Sequence, residues 1–293
     1  MSKISIRFYK DYKVRAVWDE DHNQWWFSIL DIVGAVNEQD NHEKNRNYWK
    51  YLKAKLRKEQ NELVSGTTQL KLTASDGKNY KTDVISQAGV EELVKAIPNR
   101  QAMSFLDWFK YSENTIDGQS RKKAYTLWES NLVADKDVGT VKSLQQIHAY
   151  LFGGLYDFAG KIRTKTISKG NTLFCLAEYL HDNLKTIEQM PETTFDEIVD
   201  KYVEMNVAHP FMEGNGRSTR IWLDLIFKKR LGLCVDWSKI NKRDYLEAMI
   251  ASHMDSSRIR ELLKQAMTDK IDDREIFMKG IDYSYYYEQE DEA

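Results

Sequence analysis

Proline interrupts helices, because it lacks an N–H and its ring clashes with the preceding turn. The 293-residue chain has only three, Pro98, Pro191 and Pro210. Long uninterrupted helices are open to it, and the apolar pattern uses them. From about Ala124 to Ile271, apolar residues recur with a helical period, as in SLQQIHAYLFGGLYDFAG, FDEIVDKYVEMNVAH and RIWLDLIFKKRLGL. One segment departs. KIRTKTISKGNTLF at 161–174 alternates and carries Gly170-Asn171, so it reads as a short β-hairpin standing out from the helices.

The first third reads differently. Ile4, Ile6 and Phe8 alternate, as do Val14, Ala16 and Trp18, and QWWFSI follows a polar turn. ILDIVGAV then reads as helix. Residues 43–59, EKNRNYWKYLKAKLRKE, place Trp49, Leu52 and Leu56 on one face and seven Lys and Arg elsewhere. TQLKLTASDGKNYKTDVI reads as a hairpin turning at Ser75-Asp76-Gly77-Lys78. Helical segments AGVEELVKAI and RQAMSFLDWFKY follow. The polar stretch YSENTIDGQSRK at 111–122 reads as the domain boundary. The expectation is an α+β accessory domain over 1–115, a helical domain over 124–271, and a tail over 272–293 that ends in acidic residues.

Charge and cysteine content narrow the function. Lys and Arg total 43 against 45 Asp and Glu, so no global field draws the chain to nucleic acid or anionic membrane. Cys175 and Cys234 sit in apolar stretches and make no disulfide framework, which implies a reducing compartment. The amino terminus lacks the apolar core of a secretory signal, and no apolar run is long enough to span a bilayer. A soluble cytoplasmic protein without a membrane partner is expected. No Cys and His cluster has zinc-site spacing. His148 and His181, on helical segments with apolar neighbours, read as packing residues.

The chemistry concentrates at 209–220, HPFMEGNGRSTR. A helix runs into Pro210 and ends there. Gly214 and Gly216 let backbone N–H groups approach an anion, and a new helix near Arg217 adds a positive dipole end. Arg217 and Arg220 lie three apart and can face one anion. Glu213 offers a hard oxygen ligand suited to Mg²⁺ on a phosphate. His209 has the proton affinity of a general base near neutral pH. A base, a metal ligand, an anion nest and two arginines within twelve residues suit phosphoryl-type transfer.

The segment resembles the Fic signature HPFx(D/E)GNGRxxR at every defined position. The resemblance extends through LQQIHAYLFGGLYDFAGKIRTKTISKGNTLF upstream and KRDYLEAMIAS downstream. It implies a mostly α protein: an all-α Fic core of about six helices with a β-hairpin flap, beside a small α+β amino-terminal domain. It also implies an ATP-using, Mg²⁺-dependent protein adenylyltransferase. His209 would deprotonate the target hydroxyl and Phe211 would anchor the loop. Glu213 would hold Mg²⁺. Gly214, Asn215 and Gly216 would hold the α-phosphate, Arg217 the β-phosphate and Arg220 the γ-phosphate. Phosphorylating Doc-type relatives carry Lys where this chain has Gly216, which favours AMP transfer. The flap residues Ile167, Ser168 and Lys169 would bind a target protein by strand addition.

The tail resembles the inhibitory helix of autoinhibited Fic proteins, (S/T)xxxE followed by Gly or Asn. Ser284 and Glu288 match, and Gln289 departs. Glu288 would pair with Arg220 and occupy the γ-phosphate position, and Ser284 could cap the helix. In this class Tyr285, Tyr286 and Tyr287 are candidate self-modification sites. The amino-terminal third resembles the Bro amino-terminal domain of phage antirepressors in YWxxLKxxL and AxxFxxWF. That family is linked to DNA binding, here through residues 43–59. Yet residues 1–120 hold 18 Lys and Arg against 17 Asp and Glu, and protein docking fits as well. Other readings stay open: a DNA-binding regulator with a Fic domain of other or low activity, another donor nucleotide, removal of AMP, and homo-oligomerisation.

Overall fold

A computed structural model of the chain describes residues 4–22, 24–74, 77–127, 138–170 and 172–289. The chain divides into two compact units, one up to Thr115 and one over Ile116–Gln289.

The first unit opens with strands β1 (Ile4–Tyr9), β2 (Tyr12–Asp19) and β3 (Gln24–Ser28), then helices α1 (Ile29–Val36) and α2 (His42–Lys58). Strands β4 (Thr67–Thr73) and β5 (Asn79–Ser86) follow, then α3 (Gln87–Lys95) and α4 (Ala102–Tyr111). The strands form an antiparallel sheet in the order β1-β2-β3-β5-β4. Alternation sends Val14, Ala16, Phe27 and Ile85 into a core shared with Ile32, Val33, Leu93 and Phe105. Trp49, Leu52 and Leu56 of α2 are buried, as their spacing predicts. Asp83 of β5 anchors that helix, accepting from Trp49 Nε1 at 2.8 Å and Lys53 Nζ at 2.6 Å. The β4–β5 turn residues Ser75 and Asp76 lie outside the described residues.

The second unit begins with α5 (Ile116–Leu127), followed by α6 (Val141–Phe152). Residues 116–122, read from composition as linker, are therefore the first helix of this unit. Its buried positions are Gly118, Ser120, Ala124 and Leu127, and the first three are too small or too polar to give an apolar stripe. Next come the flap strands β6 (Ser168–Lys169) and β7 (Thr172–Leu173), then α7 (Ala177–Gln189), α8 (Phe195–Ala208) and α9 (Asn215–Leu231). Strand β8 (Cys234–Val235), α10 (Lys242–Ala251), α11 (Ser257–Ala266), β9 (Met267–Thr268) and α12 (Arg274–Tyr287) complete it. The β8–β9 ladder has no signal in the periodicity.

Helix α9 is the axis of this unit. It is buried at 215, 217–223, 226 and 227, and packs on α6, α8 and α12. A capping box fixes the start of α8, with Thr194 accepting from the Glu197 N–H while the Glu197 side chain returns to Thr194. Helix α12 is capped by Asp273. Ser284 therefore lies in the last turn of α12 and does not cap its start. Residues 290–293, the acidic end, lie outside the described residues. No helix among the described residues is long and apolar enough to cross a membrane.

Candidate active site

The site lies at the junction of α8 and α9. Helix α8 stops at Ala208, and His209 takes a left-handed conformation at φ 46° and ψ 63°. Few non-glycine residues do so without outside support. Gly214 is also left-handed, at φ 80°, and an added Cβ there would lie 2.5 Å from the Phe152 ring. Only glycine fits both demands. Helix α9 starts at Asn215, two residues earlier than the sequence suggests. The N–H groups of residues 215–217 thus form its unpaired first turn.

His209 Nδ1 lies 3.2 Å from the Asn206 carbonyl, so Nδ1 carries the proton and Nε2 keeps the lone pair. The ring stacks on Phe174 at 3.6 Å. Burial pushes its pKa down to about 4, against the opposing pull of the Asn206 carbonyl and Glu288. The imidazole is a neutral acceptor at neutral pH.

Asn215 does not point its side chain outward for an α-phosphate. Its Oδ1 accepts from the Phe211 N–H and its Nδ2 donates to the Phe211 carbonyl, both at 2.8 Å. The residue staples the loop, and only its backbone is left for an anion. Phe211 is fully buried and stacks on His148 at 3.8 Å.

His148 and Arg163 hold this loop, although the sequence marks His148 only as a packing residue and gives Arg163 no role. His148 Nδ1 accepts from the Gly160 N–H at 2.8 Å, so Nε2 donates to the Glu213 carbonyl at 2.8 Å. Burial lowers its pKa to about 4, keeping it neutral. Arg163 is buried and donates only to carbonyls: Nε to His209 at 2.7 Å, Nη1 to Lys165 at 2.6 Å, and Nη2 to Cys175 at 2.5 Å and Ala208 at 3.0 Å. It ties the flap base to the left-handed corner. The TKTISKGN hairpin next to KIR was the available clue. His181, in contrast, is exposed and does not pack as expected.

The arginine end is built from charged side chains. Arg217 is buried, with Nη2 donating to Glu213 Oε1 at 2.8 Å and Nη1 to Asp117 Oδ1. Its guanidinium lies 5.0 Å from the Phe152 ring and 5.6 Å from that of Tyr285. Its Nε, buried, finds no acceptor among the described residues. Arg220 donates from Nε to Ser284 Oγ at 2.7 Å, and from Nη2 to the Ser284 carbonyl at 2.7 Å and to Glu288 Oε1 at 2.5 Å. Its Nη1 donates to the Tyr245 hydroxyl at 3.1 Å. Ser284 and Glu288 therefore meet Arg220 from one face of α12. Burial alone would raise the Glu288 carboxyl, but the charges of Arg220 and Arg217 outweigh it and hold its pKa at about 2. A Cβ on Gly216 would come within 2.1 Å of Glu288 Oε1, so glycine makes the seat for that carboxylate. Gln289, where the pattern expects Gly or Asn, uses its backbone carbonyl, which accepts from Lys242 at 2.8 Å.

Ser168 and Lys169 on the flap are exposed, and Ile167 is partly buried with its carbonyl accepting from Phe174 at 3.4 Å. Lys169 Nζ stands 3.7 Å from Glu288 Oε2. Asn171 lies outside the described residues. The tail tyrosines differ from expectation. Tyr285 and Tyr287 are buried, and their hydroxyls donate to Ser120 Oγ and to the carbonyls of Trp237 and Ile240. Burial raises the Tyr285 hydroxyl to about 12. Seated this way, these two hydroxyls are closed to modification, and only Tyr286 is partly exposed.

Glu213 fits a hydrated Mg²⁺ that arrives on phosphates, because its carboxylate is half exposed at the mouth of the α9 first turn. No group of three or more His, Cys, Asp and Glu among the described residues could cage a metal.

Residues 139–227 match the Fic/DOC family, and residues 13–115 match the BRO family, N-terminal domain. The chain is 29% identical over 140 residues to protein adenylyltransferase VbhT of Bartonella schoenbuchensis, spanning 43% of this chain and 29% of that one. It is 31% identical over 118 residues to the probable protein adenylyltransferase y4lH of Sinorhizobium fredii, spanning 36% of this chain and 61% of that one. The matched part thus spans less than two thirds of either relative. Among solved structures, the N-terminal Fic domain of a Bartonella effector protein superposes with a TM-score of 0.48 at 17% identity, over 55% of this chain and 84% of that one.

Proposed function

We propose that this chain, a Fic-domain protein through residues 139–227, moves AMP from ATP onto a protein hydroxyl and is held off by α12. One observation carries the reading. A neutral imidazole with a free Nε2 stands at the rim of an unpaired helix start that is lined by two buried arginines. The relatives named as protein adenylyltransferases support it.

The step follows from the residues. His209 Nε2 takes the proton of the target hydroxyl, and that oxygen attacks the α-phosphorus. The new oxygen–phosphorus bond forms as the bond to the β-phosphate oxygen breaks, and pyrophosphate leaves. The first-turn N–H groups of α9 stabilise charge on the α-phosphate. Arg217 and Arg220 take the β- and γ-phosphates, with Glu213 holding the Mg²⁺ that accompanies ATP. Ile167, Ser168 and Lys169 lend a strand edge to the target backbone. Glu288 on Arg220 competes with the γ-phosphate, and that competition is the brake.

The test uses wild type, Glu288→Gly and His209→Ala with α-labelled ATP and Mg²⁺. Label on protein that rises in Glu288→Gly and vanishes in His209→Ala is expected. Label that survives in His209→Ala would remove the base assignment, and equal label in wild type and Glu288→Gly would remove the brake.

A second reading concerns the amino-terminal unit. Lys44, Arg46, Lys50, Lys55, Arg57 and Lys58 of α2 are all exposed, with Lys55 3.9 Å from Glu59, while Lys53 is tied down by Asp83. This face suits a duplex DNA backbone. Binding by the full chain that weakens steeply with salt, and weakens further in Lys50→Glu, is the expected result.

A further inference from the structure

We propose that Asp117 is a second carboxylate catch on the triphosphate site, and that α5 and α12 form one two-helix latch across it. The inference rests on the reading above of Arg217 and Arg220 as β- and γ-phosphate ligands.

Each arginine is met by a carboxylate from a helix outside the segment that matches the Fic/DOC family. Helix α12 brings Glu288 to Arg220, and α5 brings Asp117 to Arg217. The two helices are joined to each other. The Tyr285 hydroxyl donates to Ser120 Oγ at 3.0 Å, and the Tyr125 hydroxyl donates to Asp282 Oδ1. Ser120, Tyr285 and Asp282 are all buried. Tyr285 also lies over the Arg217 guanidinium at 5.6 Å, so one residue of α12 touches both α5 and the arginine that α5 engages. Neither helix leaves without breaking buried bonds to the other.

Asp117 competes with phosphate; it is not needed to aim Arg217. Glu213 and the Phe152 ring already set the plane of that guanidinium. Arg217 is 3% exposed, whereas the Asp117 side chain is 50% exposed and can swing into water. With Asp117 and Glu213 both on Arg217, two negative charges face one positive charge. That arrangement opposes a β-phosphate. The Nε of Arg217 has no acceptor among the described residues.

The two catches act on different phosphates, so two nucleotides separate them. In the full chain, in a His209→Ala background that prevents turnover, ADP and ATP affinities are measured by calorimetry with Mg²⁺. Asp117→Asn, close to isosteric, should tighten ADP by about two- to fivefold, the range of a partly exposed ion pair. Glu288→Gly should tighten ATP and leave ADP unchanged, because ADP has no γ-phosphate. Asp117→Glu, which keeps the charge, should not tighten ADP. Tyr285→Phe should raise amide exchange in α5 as well as α12. ADP affinity unchanged or weakened in Asp117→Asn, with ATP still tightened by Glu288→Gly, would overturn the second catch and leave the transferase reading standing. Exchange raised in α12 alone would overturn the shared latch. Failure of every variant to bind either nucleotide would overturn both readings together.

Discussion

The two ends of the α8–α9 loop are held by different kinds of bond. At the histidine end, Arg163, His148 and Asn215 reach backbone groups: the carbonyls of Ala208, His209, Phe211 and Glu213, and the N–H groups of Gly160 and Phe211. At the arginine end, Arg217 and Arg220 reach mainly carboxylates and hydroxyls, those of Asp117, Glu213, Glu288, Ser284 and Tyr245, with the Ser284 carbonyl the one backbone acceptor among the described residues. No phosphate can take the place of a donor to a carbonyl, but a phosphate is a direct rival of a carboxylate. The first end is therefore built to stay and the second to exchange.

The largest test of the fixed end is its reactive group. His209→Ala should lower transfer by about 10²- to 10⁴-fold, the usual worth of a positioned base, with nucleotide affinity little changed. Loss of binding along with transfer would mean that the histidine holds the nucleotide instead. Next is its support. Arg163→Met leaves four carbonyls without that donor and removes the brace on a left-handed His209. It should cost about 3 kcal/mol of stability, read as a lowered midpoint in urea, and should abolish transfer in whatever stays folded. A variant that folds as well as wild type would show that this end is not braced by Arg163.

The same contrast explains what could be read from the chain. The exchanging end was legible. Pro210, two glycines and two arginines at close spacing describe a helix stop, a nest and a clamp within one short segment, and Ser284 and Glu288 share a face by simple helical arithmetic. The staying end was not. Arg163 and His148 act on backbone carbonyls 45 to 65 residues away, and carbonyls carry no sequence identity. Asp117 was lost with α5, whose buried face is glycine, serine and alanine and so looks like linker. Tyr285 and Tyr287 enter the sequence reading only through the resemblance, as candidate modification sites, whereas their rings fill the seat of α12. The sheet of the amino-terminal unit was readable, because period-two alternation is a local property.

A smaller effect sharpens the contrast. Glu288→Gly removes one carboxylate from Arg220, but the guanidinium keeps both Ser284 oxygens and the Tyr245 hydroxyl. Glycine also follows the last turn of α12, where a flexible residue is tolerated. The expected result is a rise in self-labelling, with a stability loss smaller than that of Arg163→Met because three of the partners of Arg220 remain. Chemical denaturation of both variants under one condition checks the order. An equal or larger loss in Glu288→Gly would make the arginine end a structural joint and not an exchangeable one.

The smallest expected effect is an absence of release by acid. Glu288 is held at about 2, below the usual carboxyl value, so its stabilising contribution is complete above about pH 4.5 and fades only as the pH falls towards 2. The proposed brake should therefore stay set between pH 8 and 5. The histidine end behaves otherwise in stability. Burial lowers His209 and His148 from 6.5 to about 4, so the unfolded chain takes up protons first as the pH drops. Stability is then lost progressively from about pH 6.5 towards 4, by up to roughly 3 kcal/mol for each histidine. Transfer by Glu288→Gly, normalised to folded protein, should stay level down to about pH 5, because His209 remains a neutral base there. Melting curves and labelling assays across that range read the two ends separately. Wild-type label that climbs between pH 7 and 5 would show that protons unset the arginine end, and the division between a fixed end and an exchanging end would have to be drawn elsewhere.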